Sequence, residues 1–257
     1  MNASKTALKI SKTIVDIVII IALLIAGLYA GYSLWDNYRV YAEADNIQAD
    51  LLKFKPDLTA NNGREPIRKS FAELCAINPD VCAWITVDNT NIDYPVLQGE
   101  DNFSYINTDI YGDFSLAGSI FLDSRNSRDF SDPYSIVYGH HIANGRMFGD
   151  LDKFKEKTFF NNNKTGTLVT PDKTFKLEIF AVLVIGDSDK MIFTPVNNTD
   201  VNKIVRHAED VALHKDDAEI KKICSQAETS QILTLSTCSA DFTDARTVVL
   251  ALMVPQK

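Results

Sequence analysis

A mostly β protein, with its strands closed into a largely antiparallel barrel behind one N-terminal membrane helix, is the fold class that three observations predict. Short β-branched and aromatic runs recur between turn signals from residue 84 onward, at 84–87, 92–96, 119–122, 135–138, 167–170 and 174–185. Helical periodicity is confined to a few stretches, at 67–75, 147–160 and 201–212. A long apolar run opens the chain. Many short strands with few helices favour a sheet closed on itself.

Taken in order, residues 1–13 carry Lys5, Lys9 and Lys12 and no acid, and form a predicted cytoplasmic N-terminus. Residues 14–35 are apolar apart from Asp16 and a few small or aromatic positions. About 20 such residues cross a bilayer as a helix. Asp16 falls near one end, within reach of headgroups, and Tyr29, Tyr32 and Trp35 fall at the other as an aromatic belt. Lysines before the span and Asp36, Glu43 and Asp45 after it place the N-terminus inside and the rest of the chain outside. The run exceeds the roughly 7 to 15 residues of a signal-peptide core, and no clear small-x-small cleavage site follows its aromatic end.

Residues 36–82 form a juxtamembrane and N-terminal helical segment. A polar helix is expected first, then a linker marked by Pro56, Asn61, Asn62 and Gly63. Ile67, Phe71, Leu74 and Cys75 then recur at helical spacing until Pro79. Residues 83–257 form the strand-rich domain. Its first hairpin joins 84–87 to 92–96 through Asp88 and Asn89, and a second joins 167–170 to 174–185 through Pro171 and Asp172. Between them, 147–160 mixes Phe148, Leu151, Phe154 and Phe159 with charges and reads as a short helix. About 45 residues follow the second hairpin, in which Val201, Ile204, Val205, Ala208, Val211 and Ala212 follow helical spacing behind Asn198 or Thr199 as N-cap.

Composition narrows the function classes. At 257 residues, 46% apolar and 23% charged, the chain suits one ordinary domain plus appendages. A net charge of −8 with no basic stretch argues against a nucleic-acid partner. Four cysteines allow two disulfides. If Cys238 is a nucleophile, at least one of the others is free. Cys75 and Cys82, close across Asn78 and Pro79, either pair or stay as buried thiols, and Cys224 gives no further clue. His207 and His214, seven apart on the predicted helix, have no acidic or cysteine ligand at suitable spacing, so no metal site is expected there.

The chemistry centres on Thr234, Leu235, Ser236, Thr237 and Cys238, a strand ending in a thiol. A polar turn follows, then Arg246 at the head of another apolar strand. A nearby cation favours the reactive thiolate, or binds an oxyanion formed by its attack on a carbonyl. A buried structural cysteine beside a surface arginine fits this stretch equally well. The balance shifts with Ile136, Val137, Tyr138, Gly139, His140 and His141, a second strand ending in an imidazole. Together these supply a nucleophile, an acid/base and an oxyanion donor.

In that order behind an N-terminal anchor, the Tyr-Gly-His, Leu-Ser-Thr-Cys and downstream Arg blocks resemble the sortase family, class B most closely. The resemblance runs from about Trp84 to the C-terminus. It implies an eight-stranded sortase-type barrel with N-terminal helices and a helix inserted before the cysteine strand. It also implies Cys238 as nucleophile, His140 rather than His141 as acid/base, and Arg246 as oxyanion donor or substrate clamp. Asp241 and Asp244 lie in the turn ahead of Arg246 and are candidate partners for its guanidinium. Asn102 and Ile106 are carried over as substrate-binding residues, and Tyr138 and Ser236 are added two positions upstream of His140 and Cys238.

The implied activity is cleavage of a C-terminal sorting signal after Thr through a thioacyl-enzyme, with transfer to an amine of a cell-wall precursor or a pilin. The partners are a sorting-signal peptide, that amine, and the membrane through the N-terminal helix. No cofactor or metal is expected, and no carboxylate-rich loop suggests calcium.

Rival readings fit less well. L,D-transpeptidases place an Arg two residues after their cysteine, whereas here it comes eight after. Papain-like peptidases place Cys ahead of His. An anchored adhesion or scaffold module without activity would not need all three residue types. Asn-x-Ser/Thr triplets at Asn102, Asn163 and Asn197 are of a kind that arises often by chance.

Overall fold

One unbroken helix, Asn2–Leu51 (α1), carries the chain past Gly27 and Gly31, because no proline occurs before Pro56. The computed structural model describes residues 2–58, 64–142, 145–195, 200–238, 241 and 243–256, with the backbone alone at 2–8, 11 and 238. The predicted linker positions Asn61, Asn62 and Gly63, the predicted caps Asn198 and Thr199, Asn197, and Ser239, Ala240 and Phe242 lie outside the described residues.

Two compact units share the chain, Met1–Glu43 and Ala44–Lys257. In the first, large apolar side chains from Ile10 to Trp35 are exposed, and the helix is long and apolar enough to cross a membrane. A span followed by a separate juxtamembrane helix was the expectation from sequence. The two are instead one continuous helix, since the polar residues after Trp35 include no breaker.

In the second unit, a single 3-10 turn, Leu52–Phe54, ends ahead of Pro56. The helix Glu65–Ile77 (α2) then buries Ile67, Phe71 and Leu74, the face its spacing predicts. With Leu51, these side chains pack on Trp84, Leu97, Phe121 and Val169 of the sheet.

The strands are Val81–Val87 (β1), Asp93–Leu97 (β2), Phe121–Leu122 (β3), Tyr134–Tyr138 (β4), His141–Ile142 (β5), Arg146–Met147 (β6), Thr165–Val169 (β7), Thr174–Gly186 (β8), His214–Lys215 (β9), Gln231–Cys238 (β10) and Ala245–Pro255 (β11). Eight of them close a ring in the order β11, β10, β4, β3, β2, β1, β7 and β8, with β8 pairing back onto β11. The pairs β2–β3 and β4–β10 are parallel, and the other six are antiparallel. β9 is appended to β8, and β5 with β6 makes a separate small hairpin. Both hairpins predicted from sequence form, whereas the strand expected at 119–122 shrinks to the two residues of β3.

The region 147–160 does not form one helix. A 3-10 segment, Gly149–Lys155, precedes a short helix, Lys157–Asn162 (α3), with Leu151, Phe154 and Phe160 pointing inward. Between β8 and β10 lie Lys190–Phe193 (α4), Val201–Val211 (α5) and Asp217–Ser225 (α6). α5 matches the predicted periodicity, but its N-cap is Asp200, whose carboxylate accepts the Asn202 N–H. α6 went unpredicted because only Ile220 and Ile223 of its short apolar face are buried. Through Ile204, Val205, Ala208, Ile220 and Ile223, these helices cover one side of the barrel, against Tyr134, Ile136, Phe180 and Leu250.

Cys75, Cys82 and Cys224 are free thiols. Burial pushes the Cys82 thiol up to about 12, so it is inert at neutral pH.

One buried phenol ties the barrel to the inserted segment. Tyr134 donates to the Ile192 carbonyl at 2.9 Å and accepts from Thr234 Oγ1 at 3.0 Å. Tyr134→Phe strands both partners and is expected to cost about 1–3 kcal/mol, read as a lower urea midpoint at unchanged slope.

Candidate active site

Register brings the sequence-predicted residues together. β4 and β10 run parallel with Tyr138 opposite Ser236, and the Gly139 N–H donates to the Ser236 carbonyl at 3.1 Å. Parallel strands finish at the same end of a barrel, so His140 and Cys238, each two residues further on, emerge side by side. On its other edge β10 pairs antiparallel with β11, and this sets Cys238 opposite Arg246. Directly paired residues have Cα atoms about 4.5–5.5 Å apart. His140, the Cys238 backbone and Arg246 therefore occupy neighbouring segments at one rim.

That rim opens on a groove of about 360 Å³ lined by His140, Arg246, Tyr138, Ser236, Asn102 and Ile106, the predicted site residues other than Cys238. Phe103, Phe121 and Phe193 give it an apolar floor and walls, and Asp187 and Thr237 also line it. The hydroxyls of Ser236 and Thr237 are buried with no hydrogen-bond partner among the described residues.

Gly139 lets the His140 segment lie close to the barrel, because a Cβ there would overlap Ile120 and Phe148. His140 lies just beyond β4 and is exposed at the groove, yet its imidazole is partly desolvated. That burial, and the neighbouring His141 charge, hold its imidazole below the ordinary value. His141 differs from the simple solvated or packing residue expected. Its Nε2 lies 3.0 Å from Asp152 Oδ2, and this hydrogen bond raises its pKa.

The expected pairing of Arg246 with Asp241 or Asp244 is not what forms. Arg246 instead reaches Asp187 Oδ2 at 3.3 Å, at the end of β8, and donates to the Ala245 carbonyl. Asp241 pairs with Lys155 at 2.6 Å. Asp244 adopts φ 59° and offers its carbonyl to the Asp187 N–H, so it shapes the turn. A guanidinium has five donors, and two weak bonds do not exhaust it.

Asp123 is the main residue that sequence reasoning missed. Its carboxylate is fully buried and accepts from Arg125 Nε at 2.8 Å and Nη2 at 2.6 Å, from Asn102 Nδ2 at 3.0 Å and from the Tyr138 hydroxyl at 3.1 Å. Arg125 also donates to the Phe193 carbonyl at 2.9 Å. One buried anion thus fixes three groove-lining residues, Asn102, Tyr138 and, through Arg125, Phe193. Burial alone would raise its pKa, but the bonds from Arg125 and Asn102 outweigh it and the carboxyl stays below its usual range. Burial, reinforced by the Asp123 charge, pushes the Tyr138 phenol far up, so it remains a neutral donor. An acid immediately after an apolar strand was the only sequence signal.

Among the described residues no group of three His, Cys, Asp or Glu could hold a metal ion. His207 pairs with Asp189 at 2.8 Å, and His214 falls in β9 rather than on the helix and contacts the Lys155 carbonyl at 2.7 Å.

Comparison with known proteins agrees with this geometry. Residues 85–254 match the Sortase domain family. The chain is similar to Sortase B of Listeria monocytogenes, 29% identical over 241 residues that cover 93% of this chain and 94% of that one. It is similar in structure to a mutant form of Clostridium perfringens sortase B, with TM-score 0.72, 36% identity and coverage of 80% and 96% of the two chains. A Streptococcus pyogenes class B sortase involved in pilus biogenesis is also similar, with TM-score 0.64, 39% identity and coverage of 71% and 97%. The family match spans well over half of the chain, and with these class B relatives it means that the chain belongs to the sortase family of cysteine transpeptidases, in class B.

Proposed function

We propose that this enzyme cleaves a C-terminal sorting signal after its threonine and transfers the new carboxyl end to an amine of a cell-wall precursor or a pilin. The observation that supports it most is the shared rim formed by the parallel β4–β10 pair and the antiparallel β10–β11 pair. In this reading the Cys238 sulfur attacks the threonine carbonyl. Arg246 and backbone N–H groups stabilise the tetrahedral oxyanion. As the C–N bond breaks, His140 gives its proton to the leaving amine and a thioester remains. The acceptor amine then attacks, His140 takes its proton, and the C–S bond breaks to restore the thiolate.

The groove suits an extended peptide. Phe103, Ile106, Phe121 and Phe193 offer apolar contact, and Asn102, Tyr138, Ser236 and Thr237 offer polar groups. Involvement of the S. pyogenes relative in pilus biogenesis keeps a pilin amine beside a wall precursor as acceptor. The exposed apolar helix fits a single-pass anchor over residues 14–35, with residues 1–13 inside and 83–257 outside behind the 36–82 segment.

Incubation of the full chain with a degenerate library of Thr-containing signal peptides should yield a mass-spectrometric adduct on Cys238, and Cys238→Ala should yield none. An adduct that survives Cys238→Ala would sink the assignment. Arg246→Ala is expected to lower kcat by about 10²–10³-fold, the usual cost of an oxyanion donor, measured with the peptide the library selects. Asp123→Asn weakens the acceptor shared by Asn102, Arg125 and Tyr138, so KM for that peptide should rise about tenfold, the effect of losing on the order of 1.4 kcal/mol, with kcat changed less.

A further inference from the structure

An imidazole–carboxylate pair lies beside the groove, outside the chemistry just described. His141 Nε2 is 3.0 Å from Asp152 Oδ2. The other oxygen of Asp152 accepts from Thr247 Oγ1 at 2.8 Å and lies 2.9 Å from Lys155 Nζ. Lys155 in turn reaches Asp241 Oδ2 at 2.6 Å. These partners adjoin the three reacting groups. His141 follows His140, Thr247 follows Arg246, and Asp241 lies three residues after Cys238. The 3-10 segment that carries Asp152 is anchored from below by fully buried Phe148, Leu151 and Phe154, and the Phe148 N–H donates to the His140 carbonyl at 3.0 Å.

We propose that Asp152 is a positioning residue of the acyl-transfer site: through His141, Thr247 and Lys155 it locks the His140 segment to the Arg246 strand and to the turn after Cys238. The proposal rests on the roles given above to those three residues. Its geometry also places a cation next to the acid/base. The Asp152 hydrogen bond raises the His141 pKa against the opposing effect of burial. Burial would raise the Asp152 pKa, but bonds from His141, Lys155 and Thr247 drive it well below the carboxylate range. A charged His141 then adds to burial in disfavouring protonation of His140, and a cation at that place also favours the thiolate of the coupled pair.

The other charges around His141 are accounted for. Lys155 opposes its protonation, Asp150 pairs with Lys153, Arg146 pairs with Asp45, and Arg246 faces Asp187. The raised His141 contributes fully below its unfolded value and loses that contribution as pH rises through its folded value. The lowered Asp152 contributes above its unfolded value and loses it as pH falls through its folded one. The pair is therefore fully formed between about 4 and 6.5 and fades above.

Alkylation of Cys238 by iodoacetamide in the full chain, followed against pH by peptide mass spectrometry, reads the thiolate without a natural substrate. Removing the His141 cation should move the midpoint to higher pH by on the order of 0.5 unit, in His141→Gln and, to a smaller extent, in Asp152→Asn, where a carboxylate is lost as well. Midpoints that stay at the wild-type value, whatever happens to the amplitude, overturn the proposal, because a merely structural strut changes the amount of competent enzyme and not its titration. His141→Gln can still donate to Asp152 and decides the matter if Asp152→Asn does not fold. Loss of peptide cleavage in Cys238→Ala alongside unmoved midpoints would leave the transpeptidase reading intact and remove only the inference.

Discussion

The parallel pairing of β4 with β10 is the constraint on which the rest of this structure depends. Had the two strands run antiparallel, Tyr138 and Ser236 would still be neighbours, but His140 and Cys238 would leave in opposite directions. A slip of one residue would turn every side chain of β10 to the other face. Parallel neighbours also need a crossover, and here it is the whole of the chain between Tyr138 and Gln231, including β7, β8 and the three inserted helices. The entropic cost of closing such a connection grows only with the logarithm of its length. A long excursion is therefore tolerated, provided its own apolar faces are buried, as those of α5 and α6 are.

Two carboxylates close to the groove, one buried and one half-buried, are held by donors from several segments. Asp123 lies under the wall made by Asn102, Tyr138 and Phe193, and Asp152 lies behind the imidazole segment. Each is surrounded by donors, as a carboxylate taken from water has to be. A fully satisfied network of this kind holds side chains to one geometry, and a half-satisfied one would be worse than an apolar wall. The buried hydroxyls of Ser236 and Thr237 contrast with it, having no hydrogen-bond partner among the described residues.

Much of this was legible in the sequence. The hairpins, α2, α5 and the strand ends bearing His140 and Cys238 follow from period-2 and period-3.6 patterns that burial enforces. The partners of charged side chains were not legible. Asp241 and Asp244 are near Arg246 in sequence, yet the strand pairing β8–β11 delivers Asp187 to it from far along the chain. The continuity of α1 is not legible in the sequence because a change from apolar to polar composition does not require a change in backbone. For the same reason His141 gave no sign of its partner: Asp152 sits in a 3-10 segment whose course is set by Phe148, Leu151 and Phe154 rather than by local propensity.

Pairing of β8 with β11 has a further consequence. A strand left at a sheet margin offers a row of unmatched N–H and C=O groups on which another polypeptide can build. Here the thirteen-residue β8 is matched by β7, β9 and β11, and beyond it the ladder ends in the two residues of β9. Two residues are too few to template intermolecular growth. The barrel is thereby protected from recruiting its own copies into aggregates.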